Sequence, residues 1–250
     1  MKVAVVTPSI GNRHLIDCVS SVQNQTYENL THYIFIDGYD YRTPVFDICE
    51  GTTKTKFVIL EENVGKGWYG HRVYAACSFL VNADVLIYLD EDNFIEPDHV
   101  AKMVAKIEEG YDWTYSLRKI VDKDGKYLCD DNCESLGEWP VYFNSDVYHI
   151  DSSCFAIKRD VAVKIGQAWY GQWGADRQFF HALKNHFRNF AGTGAHTVRY
   201  RLDGNPNSVT QEFFDKGNAV MQERYGDDFP WTKGKKLNKV EIGPGISIVE

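Results

Sequence analysis

The chain has 250 residues, of which 44% are hydrophobic and 25% charged, a composition typical of an ordinary globular protein. Its formal net charge of −8 argues against a nucleic-acid backbone or an anionic membrane as the main partner, because both would repel it. No stretch approaches the roughly 18 apolar residues that a membrane-spanning helix needs.

The N-terminal residues and the cysteines bear on the cellular compartment that we expect for the protein. Met1-Lys2-Val3 leads directly into a strand-like run and lacks the layout of a signal peptide. The six cysteines are scattered and do not form two pairs at zinc-site spacing. We interpret them as reduced thiols and predict a cytoplasmic protein, for which peripheral contact with a membrane stays possible. The oligomeric state is not predicted.

Strands and helices alternate through the first half. Val- and Ile-rich runs predict the strands, and apolar residues three and four apart predict the helices. The predicted order is strand 2–7, helix 13–25, strand 32–36, strand 56–60, helix 70–82, strand 85–89 and helix 97–109. Alternation of this kind implies an α/β fold with a mostly parallel sheet and right-handed crossovers.

The second half is more irregular. We predict a hairpin over 112–128, a loop from 129 to about 144, strand 155–157, helix 159–165, helix 174–185, strand 196–202, helix 209–225 and a tail without periodicity from 230. No repeat or low-complexity linker separates the halves. We therefore expect residues 1–110 and 111–250 to be two lobes of a single domain that share one sheet.

The tripeptide Asp90-Glu91-Asp92 follows the apolar run Val85–Leu89. Carboxylates do not belong inside a buried strand, so they are expected just past its carboxyl end, where open α/β sheets bind ligands. Two acids there suit a hard divalent cation and the diphosphate that it carries. The alternative is an acidic turn in which Asp92 or Asn93 caps the following helix.

Polar residues also follow the other predicted strands. Thr7-Pro8 ends the first strand, Asp37 the second, and the segment 63–67, which contains Asn63 and Lys66, follows the third. Each alone is compatible with turn chemistry, and Lys66 is either a phosphate contact or a solvated loop lysine. Together they would line one edge of a doubly wound sheet.

The ordered set of motifs resembles the family 2 glycosyltransferases of the GT-A fold. It consists of Val5-Val6-Thr7-Pro8-Ser9, Ser20-Ser21-Val22-x-x-Gln25-Thr26-Tyr27, Ile34-x-Ile36-Asp37-Gly38, Asn63-x-Gly65, Ile87-x-Leu89-Asp90-Glu91-Asp92-Asn93-x-x-x-Pro97, Ser153-x-x-Ala156-Ile157-x-Arg159 and Trp173-Gly174-Ala175-Asp176-Arg177-x-Phe179. The match covers roughly residues 3 to 202. The resemblance implies an inverting transfer of a sugar from a nucleotide-diphosphate sugar (UDP-, GDP- or dTDP-linked) to a hydroxyl acceptor, expected to be a glycan.

The resemblance also implies roles in the donor half, residues 1–110. Asp92 would ligate Mn²⁺ or Mg²⁺, and Asp90 would contact the ribose or the metal's water shell. Asp37 would read the base, with Thr7 and Pro8 as its walls. The further donor-side residues by this resemblance are Asn63, Lys66, Arg72 and Glu91, of which Glu91 is expected to point away from the two aspartates. The family's Ala-Arg-Asn element is replaced here by Trp68-Tyr69-Gly70-His71-Arg72.

Residues 111–250 would bind the acceptor and carry the base. By resemblance Asp176 takes the proton of the acceptor hydroxyl; alternatively it is an acid favoured at a helix N-terminus. The family's Glu-Asp pair is Ala175-Asp176 here. Trp173 and Arg177 are expected to contact the acceptor, and Trp169 is expected to belong to the core. His196 is either a further metal ligand or a structural histidine.

Two other functions, a second class of enzyme and a binding module without catalysis, are the alternatives to this reading. A sugar-phosphate nucleotidyltransferase should carry a Gly-rich phosphate loop after the first strand, but residues 8–13 contain a single glycine. A catalytically silent module that binds nucleotide sugars or glycans would have no need of a base such as Asp176.

Overall fold

A computed structural model of the chain describes residues 1–202, 209–234, 239–241 and 247–249. The first half alternates as predicted and adds a helix and a two-residue strand. Its elements are β1 (Val3–Ser9), α1 (Leu15–Gln23), β2 (Leu30–Asp37), α2 (Arg42–Ile48), β3 (Thr55–Leu60), α3 (His71–Leu80), β4 (Val85–Tyr88), β5 (Phe94–Ile95) and α4 (His99–Glu108). The unpredicted α2 and β5 are too short for a periodicity to show.

The second half has more strands than predicted. Its elements are β6 (Trp113–Val121), β7 (Tyr127–Asp130), β8 (Pro140–Val141), β9 (Asn144–Tyr148), β10 (Phe155–Lys158), α5 (Arg159–Ile165), α6 (Ala175–His186), β11 (Phe190–Arg201), α7 (Gln211–Tyr225), β12 (Lys239–Glu241) and β13 (Ser247–Val249). The predicted hairpin is β6 and β7. The predicted loop contains β8. The partner of β8, strand β9, lies almost entirely after that loop. In the tail, residues 235–238, 242–246 and 250 lie outside the described part.

One nine-stranded sheet joins the two halves. Its order is β3-β2-β1-β4-β10-β6-β11-β5, and β7 pairs with β6 beside this path. The four strands β3, β2, β1 and β4 run parallel, as predicted, and so do β6 and β11. Strand β10 is antiparallel to both of its neighbours and connects the two parallel groups. The α/β class is therefore confirmed.

The core lies on both faces of the central strands. Residues 3–6 of β1 and 85–88 of β4 are fully buried, as expected for parallel strands covered by helices on both sides. Trp169 is also fully buried and stacks on Phe179, with ring centroids 4.1 Å apart. This confirms Trp169 as a core residue.

The register of the parallel strands places their ends at one edge. Ser9 pairs with Ile36, Asp37 pairs with Leu60, and Val6 pairs with Tyr88, two residues before Asp90. The residues that follow these strands therefore lie along the same edge of the sheet, as the sequence predicts.

Candidate active site

Asp90 is fixed at the end of β4 by three hydroxyl groups. Its Oδ1 accepts a hydrogen bond from the Tyr74 hydroxyl at 2.7 Å, and its Oδ2 accepts from Oγ of Ser152 at 2.6 Å and of Ser153 at 3.1 Å. Burial and the neighbouring Asp90 raise the pKa of Tyr74 well above its usual range, so the phenol stays a donor. Asp90 is thus held in one orientation from two sides.

Glu91 turns away from its two neighbours, as expected. Its Oε2 accepts from Ser9 Oγ at 2.6 Å and from the Asn12 N–H at 3.1 Å, and its Oε1 accepts from the Ile10 N–H at 3.3 Å. Burial raises the pKa of this carboxyl. Through these contacts Glu91 holds the loop between β1 and α1.

Asp92 follows with a partly exposed side chain. Its carbonyl accepts from Arg201 Nε at 3.0 Å, and Asn93 Oδ1 accepts from the Arg201 N–H at 3.0 Å. The backbone here is therefore attached to the end of β11. Helix α4 begins after Asp98, so neither Asp92 nor Asn93 caps it, and the alternative reading of these residues as a helix cap is wrong.

The structure does not bring His196 to Asp92. Nδ1 of His196 lies 3.9 Å from Oδ2 of Asp130, beside β7. Extending the β5–β11 register, in which Arg199 pairs with Phe94, places Asp92 opposite residue 201. His196 is then roughly 15 Å away along the strand. Burial lowers the pKa of His196. The arrangement favours its structural alternative over metal ligation.

Across the described ranges, no group of three or more His, Cys, Asp or Glu side chains could hold a metal ion. A cation such as Mg²⁺ is commonly held by one or two carboxylates together with substrate phosphates instead of a cage of protein ligands. Asp92 has a partly exposed carboxylate, whose hard oxygens suit such a cation, at the edge where the parallel strands end. The residues present therefore fit a cation that arrives with a diphosphate.

Asp37 organises the loop after β3. The side chain is almost fully buried, and its two oxygens accept from the backbone N–H groups of Val64 and Gly65, each at 2.8 Å. Asn63 Oδ1 accepts from the Lys66 N–H at 2.8 Å, which closes the same turn, while the Lys66 side chain is exposed. A carboxylate that receives two backbone N–H groups fixes the loop strongly.

Only one of the two predicted base walls reaches this surface. Thr7 is fully buried, and its hydroxyl lies 2.9 Å from His32 Nε2 inside the sheet layer. This corrects the expectation for Thr7. Pro8 is partly exposed and packs against Gly70, where an added Cβ would lie 3.1 Å from the proline ring.

Arg72 stacks on one aromatic ring beside this loop and lies near a second. Its guanidinium carbon is 3.9 Å from the ring centroid of Trp68 and 5.6 Å from that of Tyr170, and Nη1 donates to the Val64 carbonyl at 3.2 Å. Its Nε is buried without a hydrogen-bond partner. Stacking fixes the cation at the edge of the sheet, next to the segment that Asp37 holds.

Asp176 lies in the first turn of α6, after Gly174, whose φ of 82° is the left-handed conformation that glycine adopts readily. Oδ1 accepts from the Arg177 N–H at 2.8 Å, and Oδ2 lies 3.7 Å from Nε2 of His149. The Asp176 side chain is 24% exposed, so it is available to a ligand. Nearby, the Trp173 side chain is 64% exposed, and the Arg177 guanidinium lies 5.5 Å from its ring centroid.

Asp151 is a residue of the site that sequence reasoning missed. Asp151 is buried; burial, Asp90 and Asp176 raise its pKa to about 6, while Arg118 and His149 act to lower it. Asp151 directly precedes Ser152 and Ser153, which hold Asp90, and it follows two residues after His149, whose Nε2 lies 3.7 Å from Asp176 Oδ2. The one signal in the sequence is that Asp151 stands two residues before Ser153. This is the spacing at which an aspartate side chain caps a short turn by accepting from its backbone N–H.

No helix among the described residues is both long and apolar enough to cross a membrane.

The structure resembles that of residues 1–349 of S. aureus TarS, with a TM-score of 0.63 and 14% identity over 80% of this chain and 60% of that one. TarS in complex with UDP-GlcNAc gives a TM-score of 0.62 and 13% identity over 89% of this chain and 66% of the other. The chain thus spans about 60% of the TarS fragment, and at this identity the likeness shows the GT-A type of fold alone.

Two sequence comparisons agree with that fold. An uncharacterised protein of Haemophilus influenzae (strain ATCC 51907 / DSM 11121 / KW20 / Rd) is 38% identical over 109 residues, which cover 36% of this chain and 73% of that protein. The profile of the family described as glycosyl transferase family 2 matches residues 5–165. This match takes in β1 to α5, and with them Asp37, Asp90 and Asp92. The chain belongs to glycosyl transferase family 2.

Proposed function

We propose that the protein is an inverting glycosyltransferase that moves a sugar from a nucleotide-diphosphate sugar to a hydroxyl group of a glycan, with the help of a divalent cation. The observation that carries this proposal is the meeting of acids from separate segments. Asp90 at the end of β4 is bound by Ser152 and Ser153, and Asp176 at the start of α6 lies 3.7 Å from His149, so both acids lie against the segment 149–153. Asp90 would face the donor, and Asp176, with a side chain 24% exposed, would face the acceptor.

The donor would lie along the ends of β1, β2 and β4. The TarS structures include complexes with UDP and with UDP-GlcNAc, which supports a UDP-sugar as the first donor to test, ahead of GDP- and dTDP-sugars. The loop that Asp37 holds, together with Pro8, would border the base. Arg72 would supply positive charge to the diphosphate, which a chain of net charge −8 has to provide locally.

Asp92 would hold Mn²⁺ or Mg²⁺. When bound, such a cation acts as a Lewis acid that stabilises the negative charge on the departing diphosphate. Asp90, already held by Tyr74, Ser152 and Ser153, would accept hydrogen bonds from the ribose or from water around the cation. It would supply a fixed acceptor at no cost of reorganisation.

Asp176 would be the general base. The acceptor oxygen forms the bond to the anomeric carbon, the bond from that carbon to the phosphate oxygen breaks, and the acceptor proton passes to the Asp176 carboxylate. The nucleoside diphosphate leaves with the electron pair. A single displacement of this kind inverts the anomeric configuration. The backbone N–H of Arg177 holds Oδ1, which leaves Oδ2 to face the acceptor and His149.

The aromatic side chains near Asp176 favour a sugar as acceptor. Trp173 and Tyr170 are 64% and 62% exposed, and a guanidinium group lies near each ring. Sugar rings place apolar C–H faces on aromatic rings and offer hydroxyl groups to neighbouring donors. This combination of exposed rings and guanidinium donors, next to a candidate base, supports a glycan acceptor.

A donor panel tests the proposal. Thermal unfolding is measured with UDP, GDP and dTDP and with their sugars, each with Mn²⁺, Mg²⁺ or a chelator, and release of nucleoside diphosphate is followed. A ligand at about 100 times its dissociation constant adds about 2.7 kcal/mol of stability. We expect a metal-dependent shift and turnover with one nucleotide class. Binding without any turnover would support the silent module instead, and no shift at all would refute both.

A further inference from the structure

The second half of the protein contains a buried guanidinium that is bound by three carboxylates. Arg118 on β6 is 1% exposed; its Nε donates to Asp131 Oδ2 at 2.8 Å, its Nη1 donates to Asp151 Oδ2 at 2.7 Å, and its Nη2 donates to Glu134. The ring of Tyr200 lies against it, with the centroid 4.3 Å from the guanidinium carbon. The planar group thus uses all three of its nitrogens on three different carboxylates.

Stability alone does not account for this arrangement. Three carboxylates and one guanidinium leave an excess of negative charge in a buried place. A well-packed apolar set of the same volume is often as stable as a buried ion cluster, or more so. Arg118 and backbone N–H groups hold the pKa of Asp131 below its usual range against the effect of burial. What the cluster supplies is fixed direction, since a guanidinium fork sets the geometry of each carboxylate that it binds.

One branch of the cluster leads to the donor side. Asp151 accepts from Nη1 of Arg118 through Oδ2, and its Oδ1 accepts from the Ser153 N–H at 3.0 Å. Asp151 thereby caps the short turn whose two hydroxyls, on Ser152 and Ser153, hold Asp90. The path from Arg118 to Asp90 consists of direct hydrogen bonds throughout.

The other branch leads to the base. Asp131, bound to Arg118, also accepts from the N–H groups of Glu134 and Ser135 at 2.9 and 3.0 Å, which fixes the backbone around Glu134. Glu134 then lies between two cations, because its Oε1 is 3.6 Å from Nη2 of Arg177. The N–H of Arg177 in turn holds Oδ1 of Asp176.

We infer, on the basis of the proposed function, that Arg118 is a positioning residue that sets the donor acid Asp90 and the base Asp176 relative to each other through two branches. Arg118 touches neither substrate. Its effect is carried by Asp151 on the donor side and by Glu134 on the base side. The two branches meet at the guanidinium and at one hydrogen bond, from the Asp151 N–H to Ser135 Oγ at 2.9 Å. The side chains of Asp151 and Glu134 can still be replaced one at a time.

Single-branch variants test this inference, because Arg118→Lys is at risk of not folding. Glu134→Gln places an amide against Arg177 or Arg118 and cuts the base branch. Asp151→Asn cuts the donor branch, and Ser153→Ala does so further along if Asp151→Asn does not fold. Glu96→Gln is the matched control, since it removes ion pairs to Lys119 and Arg199 at 2.7 and 3.0 Å outside the cluster.

Kinetics and UDP binding are measured with Mn²⁺. We expect Glu134→Gln to lower kcat roughly 10- to 100-fold, the size of a misplacement near 1 Å, with the Kd for UDP unchanged. We expect Asp151→Asn both to lower kcat and to raise the Kd for UDP. We expect Glu96→Gln to change neither kcat nor the Kd. The inference is wrong if Glu134→Gln and Asp151→Asn show the same pattern of change in kcat and in the Kd for UDP. It is also wrong if Glu96→Gln changes kcat and the Kd as much as these two variants do.

Amide hydrogen exchange separates this inference from the proposed function, because it needs no activity. Glu134→Gln should speed exchange at the start of α6, and Asp151→Asn should speed it in residues 152–154 and 90–93. If the wild-type protein binds no nucleotide and transfers no sugar, the proposed function fails, while the exchange pattern still decides the role of Arg118. Exchange that rises equally in both regions in both variants would overturn the inference.

Discussion

Oδ2 of Asp37 and the backbone of Gly65 are in such close contact that no side chain fits between them. The oxygen accepts from the Gly65 N–H at 2.8 Å, and a Cβ built on Gly65 would lie 2.3 Å from the same oxygen. Because Asp37 is almost fully buried at the end of β2, it cannot move aside. The loop after β3 keeps its shape only with glycine at this position.

Gly65→Ala should therefore displace the loop, with a cost in the free energy of unfolding of about 1–3 kcal/mol, as for other overpacked sites. We expect weaker UDP binding in calorimetry. Gly67→Ala is the control, since Gly67 lies in the same loop with no atom within 4 Å of its added Cβ, although its φ of 73° is strained for alanine. Weaker UDP binding by the control than by Gly65→Ala would contradict the steric argument.

Asp176→Asn should abolish most transfer while nucleotide binding is retained. The amide cannot take the acceptor proton, and loss of a general base costs about 10²- to 10⁴-fold. The measurement pairs the transfer rate with the Kd for UDP. Asp160→Asn, an exposed acid in the first turn of α5, controls for the helix position. Transfer by Asp176→Asn at the wild-type rate would remove it as the base.

Trp173→Ala should raise the KM for the acceptor and leave donor binding and thermal stability unchanged, because the ring is 64% exposed and contacts Arg177. The expected loss is about 1–2 kcal/mol of acceptor binding, or roughly 5- to 30-fold in KM. Phe79→Ala is the control, with a ring 63% exposed at the far end of α3. Equal effects of the two variants on the acceptor KM would mean that Trp173 makes no specific contact.

Asp92→Asn should raise the concentration of Mn²⁺ that half-saturates transfer, since a neutral amide is a weaker ligand than a carboxylate. His196→Gln should leave that concentration unchanged, because His196 lies beside Asp130 and is separated from Asp92 along β11. A Mn²⁺ titration of both variants checks the pair. A large shift with His196→Gln would show that the histidine reaches the cation after all.

Two buried histidines should make the protein sensitive to acid. Burial lowers the pKa of His32 and of His99 to about 3, below the ordinary value of 6.5. The unfolded chain binds these protons first, so the stability that the neutral forms contribute is present above pH 6.5 and is lost as pH falls toward 3. In the middle of this window each histidine should add about 1.4 kcal/mol per pH unit to the slope of unfolding free energy against pH.

Urea unfolding of His99→Gln at several pH values between 4.5 and 6 checks this slope. The glutamine can keep the hydrogen bond that His99 Nδ1 makes with Thr197 Oγ1 at 2.8 Å, so the fold should survive. We expect the slope to fall by about one proton relative to wild type. The exposed His186→Gln is the control for loss of a histidine. An unchanged slope in His99→Gln would be the contrary result.

The first half of the chain was largely predictable from the sequence. Strands β1, β2 and β4 are continuous apolar runs because both of their faces are covered, and a polar residue at the end of such a run has to lie at the edge of the sheet. Asp37 and Asp90 follow directly from this argument. Thr7 does not, because alternation along a strand sends neighbouring side chains to opposite faces, and Thr7 faces inward to His32.

The second half of the chain was less predictable, since its contacts join distant segments. Arg118 meets Asp131, Glu134 and Asp151, and nothing in the local pattern says that a basic residue in an apolar strand will find them. The sequence left both alternatives for His196 open for another reason. Strand β11 begins at Phe190, six residues before the predicted start, and its pairing with β6 is bulged, so the local pattern does not show where the histidine lies in the strand.

The position of the antiparallel β10 in the chain also determines when the central sheet can be completed during synthesis. The fully buried β4 pairs with β1 on one side and with β10 on the other, and β10 in turn carries β6. During synthesis the apolar edge of β4 therefore stays uncovered until residues 155–158 have left the ribosome. A nascent chain stalled before that point would offer this edge to chaperones or to neighbouring chains.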